Sequence, residues 1–212
     1  MNLNLSADEV LTTTRAVRKR LDLERPVERE VLLECLEIAL QAPTGSNSQG
    51  WQWVFVEDPD KKKAIADYYG ANFDKYVGTN PVEYAADDPR ARQREGVTSS
   101  AIYLREHFHE VPVMMIPLLE GRPGRAGGTQ AGFWGSILPA VWSFMLAARA
   151  RGLGTAWTTL HLSYEAEVAE LLGIPADRYS QAGLFPIAYT KGTDFKPAAR
   201  LPTEQFAHFD TW

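Results

Sequence analysis

The stretch "APTGSNSQGWQWVFV", residues 42–56, decides how the rest of the chain is read. Eight positions of turn-forming and amide residues run straight into an aromatic, β-branched segment. Turn residues before a strand are ordinary. This run adds small side chains that let backbone come close to another molecule. It also adds two amides, Asn47 and Gln49, which both donate and accept hydrogen bonds. Such a loop can grip a polar ring. The segment from Trp51 onward reads as a strand, with Trp51 and Trp53 anchoring it.

Working outward, residues 6–19 read as a helix with Ser6 as N-cap and Asp8 and Glu9 in the first turn. Residues 27–42 read as a second helix behind Pro26, with Val31, Cys35, Ile38, Ala39 and Ala42 on its core stripe. Residues 58–69 follow the strand as a short surface helix, and 97–109 as another helix. "VPVMMIPLLE" reads as a buried strand, with Pro117 marking a sheet edge or an early end. Residues 136–150 form a buried helix capped by Ser136 and stopped by Gly152 and Gly154. "TAWTTL" reads as a strand, "SYEAEVAELLGIP" as a helix capped by Ser163, and "QAGLFPIAYT" as a last strand. The tail from Lys191 has little periodicity. Helices and strands interleave without repeat or linker, so the 212 residues form one α/β or α+β domain.

Composition narrows the function. The formal net charge of -5 offers no basic surplus for nucleic acid. A single cysteine excludes an intramolecular disulfide and suits the cytoplasm, and the N-terminal residues lack a signal-peptide core. Residues 126–148 carry no charge, but only 137–148 are densely apolar, too few to span a bilayer, so no membrane is expected. No G-x-S-x-G motif marks a hydrolase. "GRPGRAGG" at 121–128 matches neither dinucleotide fingerprint nor P-loop and reads as a flexible loop, although Arg122 and Arg125 suit an anionic cosubstrate. The histidines lack metal-ligand spacing, so no metal is expected. Cys35 reads as a core residue.

Positive charge remains. "TRAVRKR" puts Arg15 and Arg18 three apart, neighbours on one face of the expected helix and suited to a phosphate. "KPAARLP" adds Arg200. Taken together, "TRAVRKR", "APTGSNSQGWQW", "GLGTAWTT" and "ARLP", in this order, make the chain resemble the nitroreductase family of FMN-dependent oxidoreductases from about Val10 to Phe209.

The resemblance implies an α+β fold, with a central, mainly antiparallel sheet wrapped by helices. One domain spans 1–212, including a variable substrate-side region at 70–128 and a C-terminal extension at 191–212. It implies an intertwined homodimer with FMN at the interface, and NADH or NADPH as cosubstrate. A small-molecule acceptor such as a nitroaromatic or quinone is reduced by a ping-pong mechanism. Arg15, Ala16, Val17, Arg18 and Arg200 fall in the phosphate-binding segments. Pro43, Thr44, Gly45, Ser46, Asn47 and Gln49 fall in the loop that reaches the flavin from the other subunit. Ala156, Trp157, Thr158 and Thr159 lie along the ring, with backbone amides near Thr158 and Thr159 facing its hydride-accepting nitrogen. No catalytic side chain is implied, because the cofactor carries the chemistry. Gly50, Ala16, Arg20 and Ala198 depart from the residues common in the family. Flavin fragmentation, dehalogenation and non-catalytic flavin storage are the alternative readings.

Overall fold

The computed structural model describes residues 2–79, 84–85, 88, 90–124 and 129–212. Its centre is an antiparallel sheet of β1 (Trp51–Val56), β2 (Val113–Glu120), β3 (Leu153–Thr155), β4 (Tyr179–Gln181) and β5 (Phe185–Tyr189), in the order β1-β2-β5-β3, with β4 also paired to β2. Helices α1 (Ala7–Thr13), α2 (Arg29–Ala39), α3 (Pro59–Thr79), α4 (Ala91–His107), α5 (Gln130–Gly135), α6 (Leu138–Ala150) and α7 (Glu165–Leu172) surround it. The fold is α+β.

Strand β2 explains the layering. Its side chains alternate between faces, as the pleat requires. Val113, Met115 and Leu119 pack with Leu32, Cys35 and Ala39 of α2 and with Phe144 and Ala148 of α6. Met114, Ile116 and Leu118 pack on the other face with Ile65 and Tyr69 of α3, Phe108, and Val168 of α7. Helices cover both faces, so β2 reads as one continuous apolar run. The strand is central, not the edge that Pro117 suggested. Pro117 falls between the last β5 pair, Met115 with Phe185, and the first β4 pair, Leu118 with Gln181. Its missing N–H coincides with the break between β5 and β4, and its carbonyl still accepts from the Ala182 amide at 2.9 Å.

Several helices differ from their sequence outlines. Ser6 and Glu9 form a reciprocal capping box, as their spacing suggests. But α1 ends at Thr13 instead of residue 19. Thr12, Thr13 and Thr14 are successive β-branched residues whose hydroxyls donate to the carbonyls of Asp8, Glu9 and Val10. Beyond them the chain is extended. Ala16 bridges Thr155 in parallel, and the Val17 amide donates to the Thr155 carbonyl at 2.8 Å. Arg15 and Arg18 therefore share no helical face. On α2 the buried stripe is Leu32, Cys35 and Ala39, while Ile38 is 44% exposed. Helix α3 runs well past the outline at residue 69, and α4 starts six residues before its own.

The stretch Gln130–Ala150 is long and apolar enough to cross a bilayer, yet it is broken at Ser136–Ile137 and much of α6 lies in the core. Ser136 and Ser163 are not the caps. Ile137 and Tyr164 hold those positions without side-chain bonds. The "TAWTTL" strand ends at Thr155, and a 3-10 turn, Leu160–Tyr164, follows.

Gly154 lets the arginine segment dock. A Cβ there would sit 2.9 Å from Val17 Cβ, 3.0 Å from Leu21 Cδ2 and 2.8 Å from Thr190 Cγ2. Gly154→Ala should destabilise the fold by about 1–3 kcal/mol, read as a lower urea midpoint at unchanged slope. An unaltered midpoint would refute this close packing.

Candidate functional site

Loop 43–49 is built on strained backbone. Ser46, Asn47 and Gln49 have φ of 53°, 52° and 49°, a left-handed conformation that non-glycine residues rarely adopt. Such conformations cost of order 1 kcal/mol each and cluster at ligand sites. The loop is largely exposed, so core packing does not impose them. Its shape is fixed from within and from below. The Gln49 amide donates to Thr44 Oγ1 at 3.2 Å, and Gln49 Nε2 donates to Asn47 Oδ1 at 3.1 Å. The Gly45 amide donates to Ser136 Oγ at 3.1 Å, and Ser136 Oγ in turn donates to the Gly132 carbonyl. Ser136 is thus a loop support. Nothing in the local pattern marked it as one.

At the other side of the sheet, the arginine segment, α4 and the C-terminal tail form a basic corner. Arg15 Nη2 donates to the Lys196 carbonyl at 2.7 Å. Arg18 Nη1 lies 3.4 Å from Ser100 Oγ on α4, and Lys19 Nζ donates to Ser99 Oγ. Arg200 donates only to the neighbouring Ala199 carbonyl and lines a 260 Å³ pocket with Arg90, Gln93 and Phe206. Among the described residues these four cations meet neutral oxygens alone. Elsewhere Arg20, Arg29, Lys63, Arg90, Arg105, Arg122, Arg151 and Arg178 pair with carboxylates. Burial lowers the Arg18 pKa from its usual value, since no anion compensates its partly desolvated charge.

Two arginines the sequence did not single out for the site fasten the tail. Arg20 pairs with Asp194 at 2.5 Å and donates to the Lys191 carbonyl, while its guanidinium lies 4.2 Å from the Phe195 ring centre. Arg149 is buried, donates to Thr13 Oγ1 and the Thr193 carbonyl, and faces the same ring at 4.9 Å.

The segment after β3 completes the set. Ala156 and Thr158 are buried, Trp157 is half-buried and Thr159 is exposed. The Thr158 amide is not available to a ligand, because it donates to the Leu184 carbonyl at 3.1 Å. The Thr159 amide, by contrast, has no partner among the described residues. Beneath it lies a polar chain. Arg122 binds both carboxylate oxygens of Glu165 at 2.9 Å, Glu165 accepts from the Gln181 amide, and Gln181 meets His161. Arg122 is thereby committed to structure, and Arg125 lies outside the described residues. A cavity of 420 Å³ lies between α3 and α4, lined by Phe73, Tyr76, Val77, Tyr84, Val97 and Ala101 with Arg90 and Arg94 beside them, and it shares Arg90 and Gln93 with the pocket beside Arg200.

Full burial pushes the His161 pKa down to about 4. The unfolded chain protonates His161 near pH 6.5, so stability is full above that value and falls as pH drops toward 4. About 2 kcal/mol should be gone by pH 5 from this group. Urea unfolding at pH 7 and pH 5 should show that loss in the wild type and a smaller one in His161→Gln. An equal loss in both would refute the assignment.

The nitroreductase family model matches residues 11–189. The chain is 27% identical over 201 residues to a 4-nitrobenzoate reductase of Nocardioides sp. (strain LMS-CY), spanning 84% of this chain and 78% of that protein. It is 27% identical over 208 residues to the putative NAD(P)H nitroreductase YdgI of Bacillus subtilis (strain 168), spanning 95% and 96%. Its fold is similar to that of the FMN and NADPH-dependent nitroreductase NfnB from Sphigopyxis sp. strain HMH. That match has a TM-score of 0.70 at 22% identity, over 98% of this chain and all of that one. With most of its length matched by that family model, the chain belongs to the nitroreductase family.

Proposed function

We propose that the protein is an FMN-dependent oxidoreductase that draws on NADH or NADPH to reduce nitroaromatic, quinone or similar acceptors, and that it works as a homodimer. The observation that carries this reading is the basic corner. Among the described residues, Arg15, Arg18, Lys19 and Arg200 meet only neutral oxygens, whereas Arg29, Arg105 and Arg122 pair with carboxylates. A phosphate dianion supplies the missing charge and suits the guanidinium fork.

The rest of the donor set fits FMN. Asn47 and Gln49 offer donor and acceptor groups on an exposed, shaped loop, and the Thr159 amide offers a backbone donor. FMN, when bound, would supply the redox chemistry, the two-electron transfer from reduced nicotinamide to acceptor in a ping-pong sequence. The chain's own residues bind and orient. Arg15, Arg18 and Arg200 hold the phosphate. The loop and Thr159 fix the ring edge. Phe73, Tyr76 and Tyr84 give the cavity between α3 and α4 a flat apolar lining suited to an aromatic acceptor.

Position and exposure support the dimer. The loop precedes β1 at one sheet edge and the arginine segment bridges β3 at the other. Leu33, Ile38 and Leu40 around α2 and Trp142 on α6 are exposed, giving a second copy apolar surface to cover.

Flavin released by heat and separated on a column should run as FMN, and the bound flavin should bleach on anaerobic addition of NADH or NADPH. A FAD peak, or no bleaching with either nucleotide, would sink the reading. Arg200→Ala should weaken FMN binding about ten- to a hundred-fold, the worth of one charge-assisted contact, while the apoprotein stays folded. Unchanged affinity would remove Arg200 from the site. By light scattering the FMN-loaded protein should be a dimer. A monomer holding stoichiometric FMN at micromolar concentration would refute the shared site.

A further inference from the structure

His161 is completely buried, and its Nε2 lies 3.1 Å from Gln181 Oε1. The orientation of that amide is fixed by its other end. Gln181 Nε2 donates to the Glu165 backbone carbonyl at 2.9 Å, and a carbonyl cannot donate in return. Gln181 Oε1 therefore faces the imidazole as an acceptor, and His161 must carry its hydrogen on Nε2. Nδ1 then presents a lone pair and has no partner among the described residues.

The contact has a second feature. Residues 158–161 and 181–184 run beside each other and are joined twice. Thr158 and Leu184 exchange backbone hydrogen bonds at 3.1 and 2.8 Å, and three residues further along His161 meets Gln181. Between these two rungs sits Thr159 with its free amide. Asn72 of α3 donates to the Leu160 carbonyl at 2.6 Å, and a Cβ at Gly183 would collide with Trp157 Nε1 at 2.7 Å.

We propose that His161, held as the Nε2–H tautomer by Gln181, is a positioning residue that sets the direction of the Thr159 amide toward the flavin. The inference rests on the FMN reading above. The imidazole touches no ligand. It acts through the rung, and loss of either partner frees the turn on the side away from Leu184.

Three variants test this. His161→Phe keeps a ring of similar size and removes the donor. Gln181→Met removes the acceptor. His161→Gln returns an amide donor at the place of Nε2. FMN affinity should fall about ten-fold in His161→Phe and in Gln181→Met, and stay within about two-fold of wild type in His161→Gln. The midpoint potential of the bound flavin should shift in the first two and recover in the third, which a purely structural defect would not produce. The double variant His161→Phe/Gln181→Met should be no worse than either single one, because both break one contact. Wild-type affinity and potential in both Gln181→Met and His161→Phe would overturn the inference, as would losses that multiply in the double variant. If His161→Phe does not fold, the contrast of Gln181→Met with His161→Gln decides alone. A wild-type protein that binds no FMN would instead sink the flavin reading itself.

Discussion

An antiparallel sheet keeps its two edges apart. From β1 to the arginine segment beyond β3 there are four strand spacings, roughly 19 Å. The strained loop enters the sheet at the first edge and the basic corner forms at the second. No rotation of a side chain closes that distance, so in the proposed reading each copy supplies half of a pocket at either edge. A second copy, placed so that each loop meets the other's basic corner, removes the difficulty without bending the sheet. This constraint, more than any single contact, makes the proposed dimer part of the site.

The scaffold is rigid where function needs fixed geometry. β2 is buried on both faces, and Phe144 closes one core against Trp53 and Phe55 at about 6 Å between ring centres. Gly154 brings Val17 and Leu21 into contact with the sheet, so the extended arginine segment is held almost as firmly as a strand. Against this frame the loop can keep residues at positive φ. Its strain is offset by the packing of β1 and by Ser136.

How much of this was legible in the sequence depended on range. Residues 51–56 read correctly because aromatic and β-branched residues after a glycine are a local signal. So did Ser6 as the N-cap of α1, whose side chain accepts from the Glu9 amide three residues on. "TRAVRKR" misled because its charges suit a helix, while the event that ends α1 is the threonine run just before it. Pro117 misled because its lost donor is harmless only where β4 and β5 are interrupted, which no window around residue 117 can reveal. The tail showed no periodicity because Arg20 and Arg149, some 170 and 40 residues away, organise it. The Thr158 amide looked available for the same reason, since its partner Leu184 is distant in sequence.

Net charge misleads in the same way. A chain of formal charge -5 gives no hint of an anion site. What matters is which cations already have a counter-ion. Arg105 with Asp74, Arg122 with Glu165 and Arg178 with Glu120 have theirs within about 3 Å, and their fields are largely spent. Arg15, Arg18, Lys19 and Arg200 have none among the described residues. Their summed field persists over about one Debye length, roughly 8 Å at physiological salt. For an acidic protein the proposed phosphate site therefore rests on the local pairing pattern and not on the total charge.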